Sequence, residues 1–247
     1  MKYKLGIVLC LISGLLFAAP KQPKTPIAAY PKKVEISYYL SIFTAKLTWD
    51  LAPEHYSLRL ATQPLGKKML WLSEGRIEKQ IVVPERFAEY RNGVETPRNV
   101  AQFDWATGLA NVGAPDSAQT EPIALGDQDL LSAALQFALQ PVQGKKLSLF
   151  NGRKRYPDVE FVWQAPRKLK LGEQEIDAVV VTASWDDRQV EYWLAPRWYY
   201  VPVRMIFTLG KDGVFDVSAN EISIDGKTVL NRPNPNIETR TATKTRE

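Results

Sequence analysis

From Val34 to Ile224 the chain is a succession of short runs rich in β-branched and aromatic residues, separated by turn dipeptides. Runs of this kind alternate buried and exposed side chains, so they have to pair into a sheet with one covered face. The predicted strands are 34–43, 45–51, 56–62, 69–72 leading to 76–83, 101–105, 146–150, 159–163, 178–185, 189–194, 201–209 and 214–224. Asn92-Gly93, Asn151-Gly152, Asp212-Gly213 and Asp225-Gly226 separate them, and Asp-Gly between two alternating runs predicts a hairpin. About ten strands fit a curled sheet better than a flat one. The expected fold is mainly β: a large curved antiparallel sheet, or an open or partly closed barrel.

One segment departs from this pattern. Residues 127–140, DQDLLSAALQFALQ, place Leu130, Leu131, Ala134, Leu135 and Phe137 at helical spacing, and Pro141 closes the run. Asp127 or Asp129 can cap its start. A helix this short is unstable alone, so it is expected as an amphipathic helix packed as a lid on the concave face of the sheet.

The N-terminus reads as an address. Lys2 and Lys4 precede an uncharged stretch, 5–17, which ends at Ala18 and Ala19. This is the order of an export signal, and it is too short for a comfortable transmembrane helix. Pro20 opposes cleavage after Ala19, and cleavage after Ala18 puts Leu16 where a small residue is preferred, so an uncleaved anchor is the alternative. Cys10 lies mid-stretch behind Leu9, which does not suit a lipoprotein box. The expected organisation is an export segment at 1–19, a Pro/Lys linker at 20–33, one β-rich domain at 34–230 and a disordered tail at 231–247. The expected location is the periplasm, with membrane association only through an uncleaved signal segment.

The net charge of +5 belongs to the ends. Residues 1–33 hold six Lys and no acid, and the tail holds four bases against two acids, leaving 22 basic and 25 acidic residues in 34–230. A nucleic-acid partner is therefore not expected. The runs Arg153-Lys154-Arg155 and Arg167-Lys168-Lys170 read as solvated turns, the alternative being contact with a phosphate or a lipid head group.

Few chemical classes survive. One Cys excludes an internal disulfide framework, and a single His leaves no cluster for zinc. His55 has no Gly-x-Ser-x-Gly elbow to serve, and neither a Walker loop nor a dinucleotide fingerprint is present. Asp186-Asp187 reads as a hairpin turn, because adjacent carboxylates on a strand point to opposite faces. No catalytic residue, metal ligand or cofactor is expected, and a non-enzymatic role is.

Binding is the better lead. The chain has seven Trp, most on or beside predicted strands, and Ala195-Pro196-Arg197-Trp198-Tyr199-Tyr200-Val201-Pro202 brackets an aromatic cluster between prolines. Each Trp can be core packing, or part of a wall that stacks on sugars or holds acyl chains. The segment 84–93 carries Arg86 and Arg91 beside Glu85 and Glu89, which reads as a surface ion-pair set or as an arginine held under an aromatic. The candidate ligand-binding residues are Arg86, Arg91, Trp105, Trp193, Trp198 and Tyr200.

The order of five segments also carries a resemblance: Ser73-Glu74-Gly75-Arg76-Ile77; Pro84-Glu85-Arg86-Phe87 with Arg91; Phe103-Asp104-Trp105; Asp129-Leu130-Leu131-Ser132; and Trp193-Leu194-Ala195-Pro196 followed by Tyr200-Val201-Pro202-Val203-Arg204. Together, over roughly 34–225, they resemble the domain-of-unknown-function 3108 family of exported bacterial proteins. The resemblance implies an export signal, a β-rich curved sheet and an envelope location, and it implies no reaction. The expected function is binding of an apolar or amphipathic envelope ligand (lipid, acyl chain or glycan) in the concave sheet. The alternatives are a scaffold for other envelope proteins and a glycan-acting hydrolase.

Overall fold

The computed structural model describes residues 30–40, 43–140, 146–209 and 213–232. The expected export segment, most of the linker and all but the first two residues of the expected tail lie outside the described residues.

The strands follow chain order as β1 (Lys33–Leu40), β2 (Phe43–Leu51), β3 (His55–Thr62), β4 (Met69–Glu78), β5 (Ile81–Arg91), β6 (Asn99–Asp104), β7 (Leu109–Gly113) and β8 (Gln119–Pro122). Next come β9 (Gln128–Asp129), the helix α1 (Ser132–Leu139), β10 (Lys146–Phe150), β11 (Arg155–Glu160), β12 (Val162–Trp163) and β13 (Arg167–Leu171). The chain continues through β14 (Gln174–Trp185), β15 (Arg188–Ala195), β16 (Val201–Leu209), β17 (Val214–Ile224) and β18 (Lys227–Asn231). Fifteen strands form one sheet ordered β12-β14-β15-β16-β17-β1-β2-β3-β4-β5-β6-β7-β8, with β13 beside β14 and β18 beside β17. It is antiparallel and does not close into a barrel. A second, small sheet is ordered β11-β10-β9.

The period-2 pattern decides which side is covered. Val34, Ile36 and Tyr38 of β1, Ala45, Leu47 and Trp49 of β2, and Tyr56 and Leu58 of β3 all point to the packed face. The intervening residues lie on the outer face. Helix α1 and the small sheet sit on the packed face. Phe137 meets the rings of Phe161, Trp163 and Tyr192, while Phe150 packs edge-on to Phe103 of β6. Tyr156 of β11 reaches Trp185 at the end of β14.

Four sequence expectations need correction. The helix begins at Ser132 rather than 127, because Gln128 and Asp129 pair in parallel with Leu149 and Phe150. It is not amphipathic in place: all eight of its residues are buried. The run 76–83 is broken by a hairpin at Lys79 and Gln80, both at positive φ without a glycine to announce it, and Arg167–Leu171 is a strand rather than a solvated turn. Asp186-Asp187 does join β14 to β15 as a hairpin turn, with both side chains exposed.

The sheet has a gap on one flank of β5. β6 pairs with β5 only from Arg86 onward, so Val82 and Pro84 lack a neighbour strand there. Side chains take its place. Gln136 Oε1 accepts the Val82 N–H at 2.7 Å, and Gln128 Nε2 donates to the Val82 carbonyl at 2.8 Å. The indole N–H of Trp105 donates to the Pro84 carbonyl at 2.6 Å. An unpaired buried backbone group costs about as much as a lost hydrogen bond, which explains why two glutamines lie buried on the plug.

Candidate functional site

The packed face is lined by buried side chains, among them a polar network around Asp129. Asp129 is fully buried, and its Oδ1 accepts the N–H groups of Leu131 and Ser132 at 2.8 and 2.9 Å. Oδ2 accepts the Ser73 hydroxyl of β4 at 2.6 Å, and Ser73 contacts the Tyr56 hydroxyl at 3.2 Å. Burial pushes the Asp129 carboxyl up to about 6, with these donors opposing the shift. Burial likewise holds the Tyr56 phenol well above its usual range. Asp127 accepts the N–H groups of Ser148 and Ala124. Of the two acids read as helix caps, Asp129 binds the N–H groups at the start of the helix and ties it to Ser73 of the large sheet, whereas Asp127 ties its own loop to β10.

Two sizeable clefts lie on the outer side of the sheet. The first, of about 710 Å³, is lined by Arg76, Glu85, Gln102, Asp104, Trp105 and Asn111 together with Phe103 and Ala106. Trp105 is fixed there by its bond to Pro84 and by stacking on Phe103 at 5.9 Å. Arg76 is engaged by Glu78 and Glu85. Asp104 is exposed, and hydrogen bonds from Thr107 and Ala106 hold its carboxyl below the usual range. A glycosidase acid needs the opposite shift.

The second cleft, of about 540 Å³, opens on the outer face of β2–β5. Its parity follows from the core. Ala45, Leu47 and Leu58 face inward, so Thr44, Lys46, Arg59 and Ala61 face out, and Leu70 and Tyr90 stand opposite each other on β4 and β5. Ala61, Met69, Leu70 and Tyr90 form an apolar floor; Lys46, Arg59 and Lys68 supply cations, and Val94 and Glu95 overhang from the β5–β6 loop. Lys46 is bridged to Glu35 at 2.8 Å, while Arg59 and Lys68 have no ion pair among the described residues. Apolar walls with a few placed charges are the usual make-up of a small-molecule site.

The six residues singled out from sequence do not converge. Trp105 lines the first cleft. Arg86 backs the second by donating to the Tyr90 phenol at 2.9 Å. Arg91 lies over the Trp71 ring at 5.2 Å and clamps Glu89, which is only 3% exposed and also accepts from Asn99. That pair is partly buried rather than a surface set. Trp193 carries the guanidiniums of Arg204 and Arg167 at 5.2 and 5.7 Å. Trp198 is buried in a 3₁₀ turn under Arg197, and Tyr200 is half-buried beyond it. Lys46, Arg59, Lys68, Leu70 and Tyr90 were not singled out. Their signal is weak: strand residues of opposite parity to the core and a loop lysine, two of the five apolar.

No curated protein and no solved structure matches the chain. The model of a family described as "Protein of unknown function (DUF3108)" matches residues 33–218, which is 186 of the 247 residues. The five segments that carried the resemblance fall within it. Two of them, at Ser73 and at Asp129–Ser132, meet in the buried network that seats the plug, and the chain belongs to the DUF3108 family.

Proposed function

We propose that this chain is a non-enzymatic binding protein of the cell envelope that takes an amphipathic ligand with an anionic head. The ligand lies in the outer-face cleft rather than on the packed face. One observation carries the reading: an apolar floor of Ala61, Leu70 and Tyr90 under Arg59 and Lys68, two cations without a protein partner among the described residues. A buried face already filled by Phe137, Leu135 and Phe150 supports moving the ligand outward. The export-like order of residues 1–19 supports the envelope setting.

The test is native mass spectrometry of the full chain purified from its own envelope. A co-purifying acidic lipid or acyl ligand is expected in the parent protein and lost in Arg59→Glu. A parent protein that carries nothing, or a ligand retained by Arg59→Glu, refutes the cleft. A scaffold for other envelope proteins is the second reading, favoured by the same filled interior together with exposed Leu65 and Val94. It expects a protein, and no small ligand, to co-purify.

A further inference from the structure

The pairing register brings three base-carrying connections to one end of the large sheet: 63–68 between β3 and β4, 92–98 between β5 and β6, and 151–154 between β10 and β11; exposed Asp116 in the β7–β8 connection and Asp186 and Asp187 between β14 and β15, further along the sheet, share this end. The three connections form one surface. The Asn92 N–H donates to the Lys68 carbonyl at 2.7 Å. The Gly113 N–H donates to the Gly152 carbonyl at 3.0 Å, and Gly152 lies against Phe87 and Asn99. These three connections hold five Lys and Arg against one acid, Glu95, and Arg153 lies 3.9 Å from the Glu89 carboxylate of β5. Lys67, Lys68 and Arg98 are exposed and carry no ion pair among the described residues. At the opposite end Asp50, Glu54, Glu78, Asp104 and Asp225 balance Lys32, Lys33, Lys79, Arg197 and Lys227.

Two apolar side chains project from the basic end. Leu65 is 82% exposed and Val94 is 58% exposed. Leu65 also sits at φ 49°, ψ 38°, a conformation that Asn or Gly adopts at much lower cost. Folding therefore gains nothing from a leucine there: its side chain is in water and its backbone is strained. Exposed aliphatic tips set among unpaired cations match a bilayer with acidic head groups. The tips enter the acyl boundary, and the cations meet lipid phosphates.

We propose that this end of the sheet docks on the surface of an anionic lipid bilayer, with Leu65 and Val94 inserting and Lys67, Lys68, Arg98 and Arg153 contacting head groups. The proposal stands on the loops and not on the outer-face cleft, so either reading can fail alone. The cleft shares Lys68, Val94 and Glu95 with this surface, so a docked molecule has its cleft opening at the membrane.

The test is co-sedimentation of the full chain with sucrose-loaded vesicles of phosphatidylcholine alone and of phosphatidylcholine with an equal share of phosphatidylglycerol. All variants share the same N-terminal segment, so differences between them belong to the loops. The parent is expected to prefer the acidic vesicles and to release with added salt. Each cation near an acidic leaflet is worth about fivefold, so Lys67→Gln with Arg98→Gln, neither of which lines the cleft, should weaken partitioning ~25-fold. Leu65→Asn should weaken it about tenfold while raising thermal stability, since Asn suits positive φ, and this separates lipid contact from loss of fold. Equal binding to both vesicle types, or the Lys67→Gln, Arg98→Gln variant binding like the parent, overturns the proposal. Sedimentation with neither vesicle also overturns it and leaves the surface to a protein partner.

Discussion

Asp129 gives the sharpest test of how the plug is held. Its carboxylate receives two backbone N–H groups and one hydroxyl inside the core. Asp129→Ala leaves those three donors unpaired. With a lost cap worth about 1 kcal/mol and unpaired buried groups about 1–3 kcal/mol, a loss of ~3 kcal/mol is expected. Asp129→Asn is different. Its Oδ1 keeps both backbone bonds, and its amide donates to Ser73 Oγ, whose hydroxyl turns to Tyr56. At pH 7.5 this variant should lie within about 1 kcal/mol of the parent.

The pH dependence distinguishes the two acceptors. Burial raises the folded Asp129 carboxyl to about 6, against a reference value of 3.8. The folded state therefore holds this proton more tightly than the unfolded chain does. The resulting stabilisation is full below about pH 4 and fades as pH rises through about 6. Linkage puts its maximum at about 3 kcal/mol, and the gain from pH 7.5 to pH 4.5 at about 2 kcal/mol. Asparagine cannot contribute it. Urea unfolding followed by tryptophan fluorescence at pH 7.5 and 4.5, for parent and Asp129→Asn, isolates this one group from the other carboxylates. A stability difference that does not move between the two pH values refutes the buried, ionisable Asp129, and Asp129→Asn falling as far as Asp129→Ala refutes the acceptor-only network.

Gly75→Ala should lower the melting temperature by about 10 °C, because an added Cβ would stand 2.3 Å from the Val83 carbonyl oxygen at the β4–β5 bulge and the strands would have to part at a cost of about 3 kcal/mol. Gln136→Leu should raise hydrogen exchange at the Val82 amide by about tenfold or more, since its only acceptor across the sheet gap is removed; unchanged protection there rules out the sealing role. Arg91→Ala strands a nearly buried Glu89 and should cost about 2 kcal/mol in chemical unfolding, and Glu89→Gln in the same chain should recover part of it; a double variant no better than the single one shows that the charge is not the cause.

Much of the fold is written locally. Alternation in β1, β2 and β3, and the positive-φ pairs Asn92-Gly93 and Asp225-Gly226, settle strands and hairpins over distances of two to ten residues. The hairpin at Lys79-Gln80 escapes the same reading because neither residue is a turn former, and only pairing of Glu78 with Ile81 imposes it. The helix is legible in kind, from Leu131, Leu135 and Phe137, but not in setting. Gln128, Asp129 and Gln136 look like its wet face, and they are buried because distant backbone at Val82 and a distant hydroxyl at Ser73 need them. Residue type alone cannot distinguish a polar side chain that meets water from one that meets an unpaired strand 46 or more positions away.

By itself the sequence determined that this chain is an antiparallel β protein with one short helix, since period and turn chemistry act between neighbours. The tertiary structure alone decided that the helix and small sheet fill the packed face. It also moved the usable clefts outward and gathered Lys67, Arg98 and Arg153 around Leu65 and Val94. These placements depend on which strands end together and on which backbone groups a gap leaves unpaired, and both are properties of the closed arrangement of contacts rather than of any stretch of chain.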